Sequence, residues 1–163
     1  MRPPADAIHS HEASIEIDAS PTVIYDLVSD ITRMGEWSPE ASGGEWLNQG
    51  TGEVGDWFVG HNERPERRWS RECEVACADP GKDFTFVVLG VEANCTWWSY
   101  EIEAGPEGTK VTERWWMVNL TPAMAEAPKD VYNERVAMTK QMMFHTLSQL
   151  KKAAEAVKEN DGS

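Results

Sequence analysis

Three polar side chains are the best candidates for chemistry in this sequence: Arg71, Tyr100 and Glu113. Each alternates with large apolar residues in a predicted strand, and residues two apart in a strand share one face of the sheet. A glutamate on such a face could act as a general base, an arginine could polarise a carbonyl oxygen, and a tyrosine could act as a weak general acid. Arg71 and Glu113 could instead neutralise each other, as buried charges usually require.

Other catalytic groups do not join them on this face. It has no predicted His and no nucleophile beside a base, so no complete catalytic constellation is predicted. His9, His11 and Glu12 could hold a metal, but this short stretch lacks the supporting partners of established metal sites. We therefore predict no metal and no cofactor. The three cysteines match no C-x-x-C spacing and are predicted to be reduced thiols.

The charge balance limits the possible partners. Asp and Glu number 28 against 15 Lys and Arg, a formal charge of −13, which argues against nucleic acid as a partner. Eight Trp and seven Met supply much of the apolar volume, and broad rings with flexible thioethers suit a roomy interior. No run approaches the roughly 18 apolar residues of a membrane span. We predict a cytoplasmic protein that is a monomer or a weak dimer.

The elements that would position these side chains follow an α+β pattern. Ile15 and Ile17 alternate with acidic residues, which predicts a half-buried strand, and Ser20-Pro21 then begins a short helical region. Short links between the later strands imply an antiparallel meander. Six further strands, separated by turn-rich pieces, are predicted at 44–48, 53–62, 68–78, 83–90, 95–104 and 109–119.

A long amphipathic helix is predicted over residues 130–158, which contain no Gly or Pro and carry apolar residues at helical spacing. Residues 121–129, with two Pro, are predicted to form a loop. We expect a disordered arm over 1–12, one domain over 13–158 and a disordered tail over 159–163. The sheet must bury its apolar face, and this helix is the one predicted element long enough to cover it.

The order of elements resembles the START-like, or SRPBCC, superfamily, and more narrowly its polyketide cyclase/dehydrase branch. Four segments carry the resemblance: 15–21, 30–39, 55–62 and 108–113. It implies a helix-grip fold, in which a seven-stranded curved antiparallel sheet surrounds a long C-terminal helix, with short helices between strands 1 and 2. It also implies an internal cavity for an apolar small molecule. Because the superfamily includes carriers, receptors and cyclases, the resemblance does not supply a reaction.

Strand parity and helical spacing predict which side chains would line such a cavity. Asn62 could merely secure the adjacent hairpin. Arg64, Arg67 and Arg68, beside two glutamates, are predicted to form a mixed-charge turn rather than an anion site. The predicted ligand-binding residues come from the strands and from the first half of the helical stripe: Phe58, Asn62, Arg71, Phe86, Trp98, Tyr100, Glu113, Trp115, Tyr132, Val136, Thr139 and Met143.

The favoured function is the binding of a small apolar or aromatic molecule between the sheet and the helix. Such a partner would be polyketide-like, lipid-like or terpenoid. One alternative is an enzyme of the cyclase or dehydrase kind that uses Glu113 as its acid or base. A third possibility is an interaction module whose own side chains fill the cavity.

Overall fold

The structure of this protein, a computed structural model, describes residues 1–161, with side chains as far as residue 157. Its strands are β1 (His9–Ile17), β2 (Ala41–Trp46), β3 (Trp57–Arg64), β4 (Arg67–Asp79), β5 (Asp83–Val88), β6 (Thr96–Gly105) and β7 (Gly108–Met117). They form one antiparallel sheet in the order β1-β7-β6-β5-β4-β3-β2. Six of the strands therefore pair with their neighbours in sequence, and β1 closes on β7. The predicted helix-grip sheet is confirmed.

Short helices occupy the connection between β1 and β2, as predicted. The helix α1 spans Pro21–Ser29, and a 3₁₀ helix spans Ile31–Glu36. Ser20 caps α1, because its hydroxyl accepts a hydrogen bond from the amide of Val23 at 3.2 Å. The 3₁₀ helix lies against the backbone of β2: a Cβ added at Gly44 would lie 3.0 Å from the carbonyl oxygen of Ile31. Glycine at this position allows the close approach.

The C-terminal helix is continuous, as predicted. It is preceded by the single turn α2 (Pro122–Ala125), which lies inside the predicted loop, and α3 itself spans Lys129–Asp161. Three residues of the predicted tail are therefore helical, and residues 162–163 lie outside the described residues. Within residues 1–161, no helix is long and apolar enough to cross a membrane.

The prediction of a disordered arm over 1–12 is wrong for its last four residues. His9 begins β1 and lies opposite Met117 of β7 in the register. The side chain of Glu12 accepts a hydrogen bond from the Nε atom of Arg114 at 3.0 Å. Backbone pairing and this ion pair hold the segment in the sheet. A strand stabilised in this way shows no apolar alternation, which is why its start could not be read from the pattern.

The two halves of α3 contact different parts of the core. Leu147, Leu150 and Ala154 pack in the main hydrophobic cluster together with residues of α1 and of the sheet. Val136 and Met143, nearer the start of the helix, belong to a smaller cluster with residues of β7. The helix and the sheet therefore meet closely at the C-terminal end of α3. A twisted sheet diverges from a straight helix, and space remains under its N-terminal half.

Candidate functional site

A cavity of about 350 Å³ lies between the sheet and the N-terminal half of α3. Its volume falls within the range of small-molecule sites in proteins, which is about 300–1,000 Å³. The structure brings ten of the twelve predicted ligand-binding residues to this cavity: Phe58, Asn62, Arg71, Phe86, Trp98, Tyr100, Glu113, Trp115, Thr139 and Met143. Their role in binding a ligand stays a prediction.

Register pairing explains why the strand residues meet. Trp98 of β6 lies opposite Trp115 of β7, and Tyr100 lies opposite Glu113. Phe86 of β5 lies opposite Trp98 on the other side of β6. Directly opposed residues in an antiparallel pair point to the same face, so one register fixes the whole row. The strand parity deduced from the sequence is the same as the observed parity for these five residues.

Tyr132 and Val136, which were also predicted to line the cavity, are not among its lining residues. The hydroxyl of Tyr132 lies 2.7 Å from the Nε2 atom of His9, and Val136 packs in the small cluster with Trp115. The start of α3 lies over β1, so these side chains fill the space beside the cavity. His9 was not predicted here: its ring stacks on Trp115 with the ring centroids 6.3 Å apart.

Glu113 lies at the buried end of the cavity, where 2% of its surface is exposed. Its Oε1 atom accepts a hydrogen bond from the hydroxyl of Tyr100 at 3.1 Å. Its Oε2 atom has no hydrogen-bond partner among the described residues. Burial raises the pKa of Glu113 to about 8, and the hydrogen bond from Tyr100 lowers it only in part. The carboxyl group therefore keeps its proton at neutral pH.

This protonation changes the chemistry predicted for the site. Burial and the neighbouring Glu113 raise the pKa of Tyr100 well above its usual range, so the phenol is also neutral. A neutral carboxyl whose Oε1 atom accepts from Tyr100 carries its own proton on Oε2, which has no acceptor among the described residues. The resting Glu113 is thus an acid and a hydrogen-bond donor, rather than the general base expected from the sequence, and Tyr100 is a poorer acid than expected.

Arg71 does not pair with Glu113. The two residues lie on β4 and β7, three strands apart in the sheet, and no carboxylate of the described residues lies within ion-pair distance of the Arg71 guanidinium. Its Nη1 atom donates to the carbonyl oxygen of Ser70 at 2.8 Å. Of the two alternatives left open by the sequence, the mutual ion pair is therefore not formed, and separate polar contacts of Arg71 and Glu113 with a ligand stay a prediction.

The prediction of a mixed-charge turn is correct for Arg68 and wrong for its two neighbours. Arg68 forms an ion pair with Glu63 at 2.6 Å on the exposed side of the hairpin. Arg64 and Arg67 line the cavity instead. The period-2 spacing of Arg67 with the inward Arg71 was the signal that could have placed it, since β4 begins at Arg67.

Methionine supplies much of the remaining wall. Thioether side chains are flexible and polarisable, so they fit ligands of varied shape. Met143 is the one methionine among the predicted ligand-binding residues; Met34 lies in the 3₁₀ helix, Met117 at the end of β7, Met124 in α2, and Met138 and Met142 on the flank of α3. Six of the seven methionines line the cavity: Met34, Met117, Met124, Met138, Met142 and Met143.

No group of three His, Cys, Asp or Glu side chains within the described chain is placed to hold a metal ion. His9 contacts Tyr132 and Trp115, and Glu12 forms an ion pair with Arg114. These two side chains of the candidate metal-binding stretch therefore have structural contacts. Burial raises the pKa of the Cys73 thiol, which lies in the cavity wall, to about 12. This thiol is therefore not a nucleophile at neutral pH.

A family model and a solved structure both relate this chain to polyketide cyclase-like proteins. Residues 9–155 match the family model described as polyketide cyclase / dehydrase and lipid transport. The chain is similar to the solution NMR structure of the Polyketide_cyc-like protein Cgl2372 from Corynebacterium glutamicum. The identity is 32% over 93% of this chain and 94% of that chain, with a TM-score of 0.63. The search of curated protein sequences gives no match.

More distant structures share the fold alone. The di-domain ARO/CYC protein StfQ from the steffimycin biosynthetic pathway is 13% identical, with a TM-score of 0.71 over 97% of this chain and 53% of that chain. The major latex-like protein 151 from Panax ginseng is 12% identical, with a TM-score of 0.63 over 90% of this chain and 97% of that one.

Proposed function

Since this chain belongs to the polyketide cyclase/dehydrase and lipid transport family, we propose that it binds a small apolar molecule in the cavity between sheet and α3. The resemblance to the START-like superfamily is confirmed by the same match. The family covers both carriers and enzymes, so the choice between them depends on the site itself. We also propose that the protein is cytoplasmic and that it is a monomer or a weak dimer.

The observation that carries the proposal is a cavity lined largely by aromatic rings and thioethers, in which the buried Oε2 atom of Glu113 has no hydrogen-bond partner among the described residues. Aromatic rings and thioethers would surround the body of a ligand, and burying them removes apolar surface from water. The Oε2 atom of Glu113 would donate its proton to a neutral oxygen on the ligand, such as that of a ketone, ester or ether. A buried donor left unpaired is unfavourable, and such a ligand would satisfy it.

The test uses N-phenyl-1-naphthylamine, a neutral flat probe whose emission rises in apolar surroundings. We expect micromolar binding, about −8 kcal/mol, with quenching of Trp emission. Trp98→Ala should weaken binding roughly three- to tenfold, because an aromatic contact contributes about 0.5–1.5 kcal/mol. Fluorescence titration measures both the affinity and the quenching.

The matched control is Trp97→Ala, on the neighbouring residue of β6. Trp97 stacks on Trp116 with ring centroids 5.5 Å apart, on the opposite face of the sheet from the cavity. It should leave the affinity within about twofold, although it lowers total fluorescence. Equal weakening by the two variants, with folding verified by circular dichroism, would contradict the site. Absence of saturable binding would favour the interaction module.

A second candidate function is supported by the raised pKa of Glu113. A carboxyl with a pKa of about 8 is poised as a general acid near neutral pH, as a cyclase or dehydrase would require. We expect no esterase activity, because the cavity offers no activated nucleophile among the described residues. For dehydration of a β-hydroxy ketone, a loss of hundredfold or more in folded Glu113→Gln would establish the enzyme. A change below about tenfold would favour carriage.

A further inference from the structure

Four guanidinium groups line one side of the cavity. Arg64 ends β3, Arg67 and Arg71 lie on the inward face of β4, and Arg135 faces them from α3. Arg64 and Arg135 both contact the carboxylate of Glu40, which Arg135 holds through Nη1 at 2.6 and 2.7 Å from the two oxygens. One buried carboxylate therefore serves two of the four cations.

The other two cations have no such partner. No carboxylate of the described residues lies within ion-pair distance of Arg67 or Arg71, and Glu134, which also lines the cavity, forms no ion pair there. Arg67 is exposed and marks the open end of the cavity, whereas Arg71 lies further in and is partly buried. Burial, together with the charges of Arg67 and Arg135, lowers the pKa of Arg71.

An aromatic ring contacts two of the four guanidinium groups. The ring of Trp69, between Arg67 and Arg71 along β4, has the guanidinium carbon of Arg67 at 5.2 Å from its centroid and that of Arg135 at 6.0 Å. Such contacts restrict the long side chains before any ligand arrives. A concentration of fixed positive charge is thus built into the cavity of a chain whose net charge is −13.

We propose that the cavity takes an amphipathic carboxylate, whose acid group binds Arg67 and Arg71 while its apolar body lies among the aromatic and methionine side chains. This inference rests on the proposed function and adds the chemistry of the ligand's head. The fork of a guanidinium matches the two oxygens of a planar carboxylate. Glu113 lies three strands away from Arg71, so the charged head and the neutral donor would contact opposite parts of one ligand.

The test compares dodecanoate with 1-dodecanol, which have the same chain length and differ in the head. Each is titrated against the bound naphthylamine probe at pH 7. We expect dodecanoate to bind about tenfold more tightly, because a charge-assisted hydrogen bond is about twice as strong as a neutral one. Added salt should reduce this ratio, since the open end of the cavity is exposed to solvent. Arg71→Gln should remove most of the ratio.

The control variant is Arg68→Gln, which removes the same charge from the same strand. Arg68 is exposed and pairs with Glu63 outside the cavity, so the acid-to-alcohol ratio should stay within about twofold of the original. Equal affinity for acid and alcohol would overturn the carboxylate head while leaving ligand binding intact. The carboxylate head would also be overturned if the probe binds and neither dodecanoate nor 1-dodecanol displaces it. If the probe itself does not bind, the proposed function fails and this inference fails with it.

Discussion

Replacing Glu113 with Gln is expected to stabilise the protein by about 3 kcal/mol at pH 7. The folded protein holds this carboxyl neutral with a pKa of about 8, whereas a solvated glutamate has a pKa near 4.5. Each pKa unit corresponds to about 1.4 kcal/mol, and roughly two and a half units separate pH 7 from the unfolded value. Gln is neutral at every pH and its side-chain oxygen can still accept the hydrogen bond from Tyr100.

The pH dependence of the free energy of unfolding shows whether the protonated Glu113 causes this difference in stability. Below pH 4.5 the folded and unfolded chains both hold the proton, so Glu113 adds no penalty. Between about pH 4.5 and pH 8 the unfolded chain releases the proton while the folded chain keeps it, so the stability falls as the pH rises. The Gln variant lacks this contribution. The difference between the two proteins should therefore grow from pH 5 to pH 8 and then level off.

Thermal denaturation across this pH range measures the effect. For a chain of this size, about 1 kcal/mol shifts the melting temperature by roughly 2–4 °C, so a difference of roughly 6–12 °C is expected at pH 7. Glu103→Gln, at an exposed position of the neighbouring strand β6, serves as the control and should follow the original protein. Parallel curves for the original protein and Glu113→Gln would mean that Glu113 ionises in the folded state.

Replacing Met142 with Trp is expected to weaken binding of the naphthylamine probe at least about 100-fold. Met142 lines the cavity from α3, and a large apolar ring at this position would occupy the space that a ligand needs. Overpacking a filled core typically costs about 1–3 kcal/mol, but a cavity of about 350 Å³ gives the indole room. The stability should therefore change little while the affinity falls.

The control is Phe144→Trp on the same helix, two residues away. Phe144 is 70% exposed, so a Trp there points to solvent and should leave the affinity within about twofold. Fluorescence titration gives the affinities, and the melting temperature verifies folding. Unchanged affinity in folded Met142→Trp would show that the probe binds elsewhere on the molecule.

Much of the cavity could be predicted because strand alternation is a local property. Within β6, Trp98 and Tyr100 share one parity with Ile102, and within β7 the apolar Val111 and Trp115 carry Glu113 onto the same face. The register then places Trp98 opposite Trp115 and Tyr100 opposite Glu113. The helical stripe was less informative. It identified Met143 correctly but also Tyr132, which contacts β1 because the angle between a helix and a sheet does not appear in the periodicity.

The sequence by itself determined the α+β order, the long terminal helix and the inward faces of the strands, since each depends on patterns within a few residues. Only the tertiary structure decided where charge lies. Arg67 looked like part of a solvated turn and instead lines the cavity beside Arg71, across from Arg135, which is far away along the chain. Burial raises the pKa of Glu113 to about 8, so its carboxyl group stays protonated at neutral pH. Charges and pKa values depend on distances between remote segments, and these exist only once the sheet has closed around the helix.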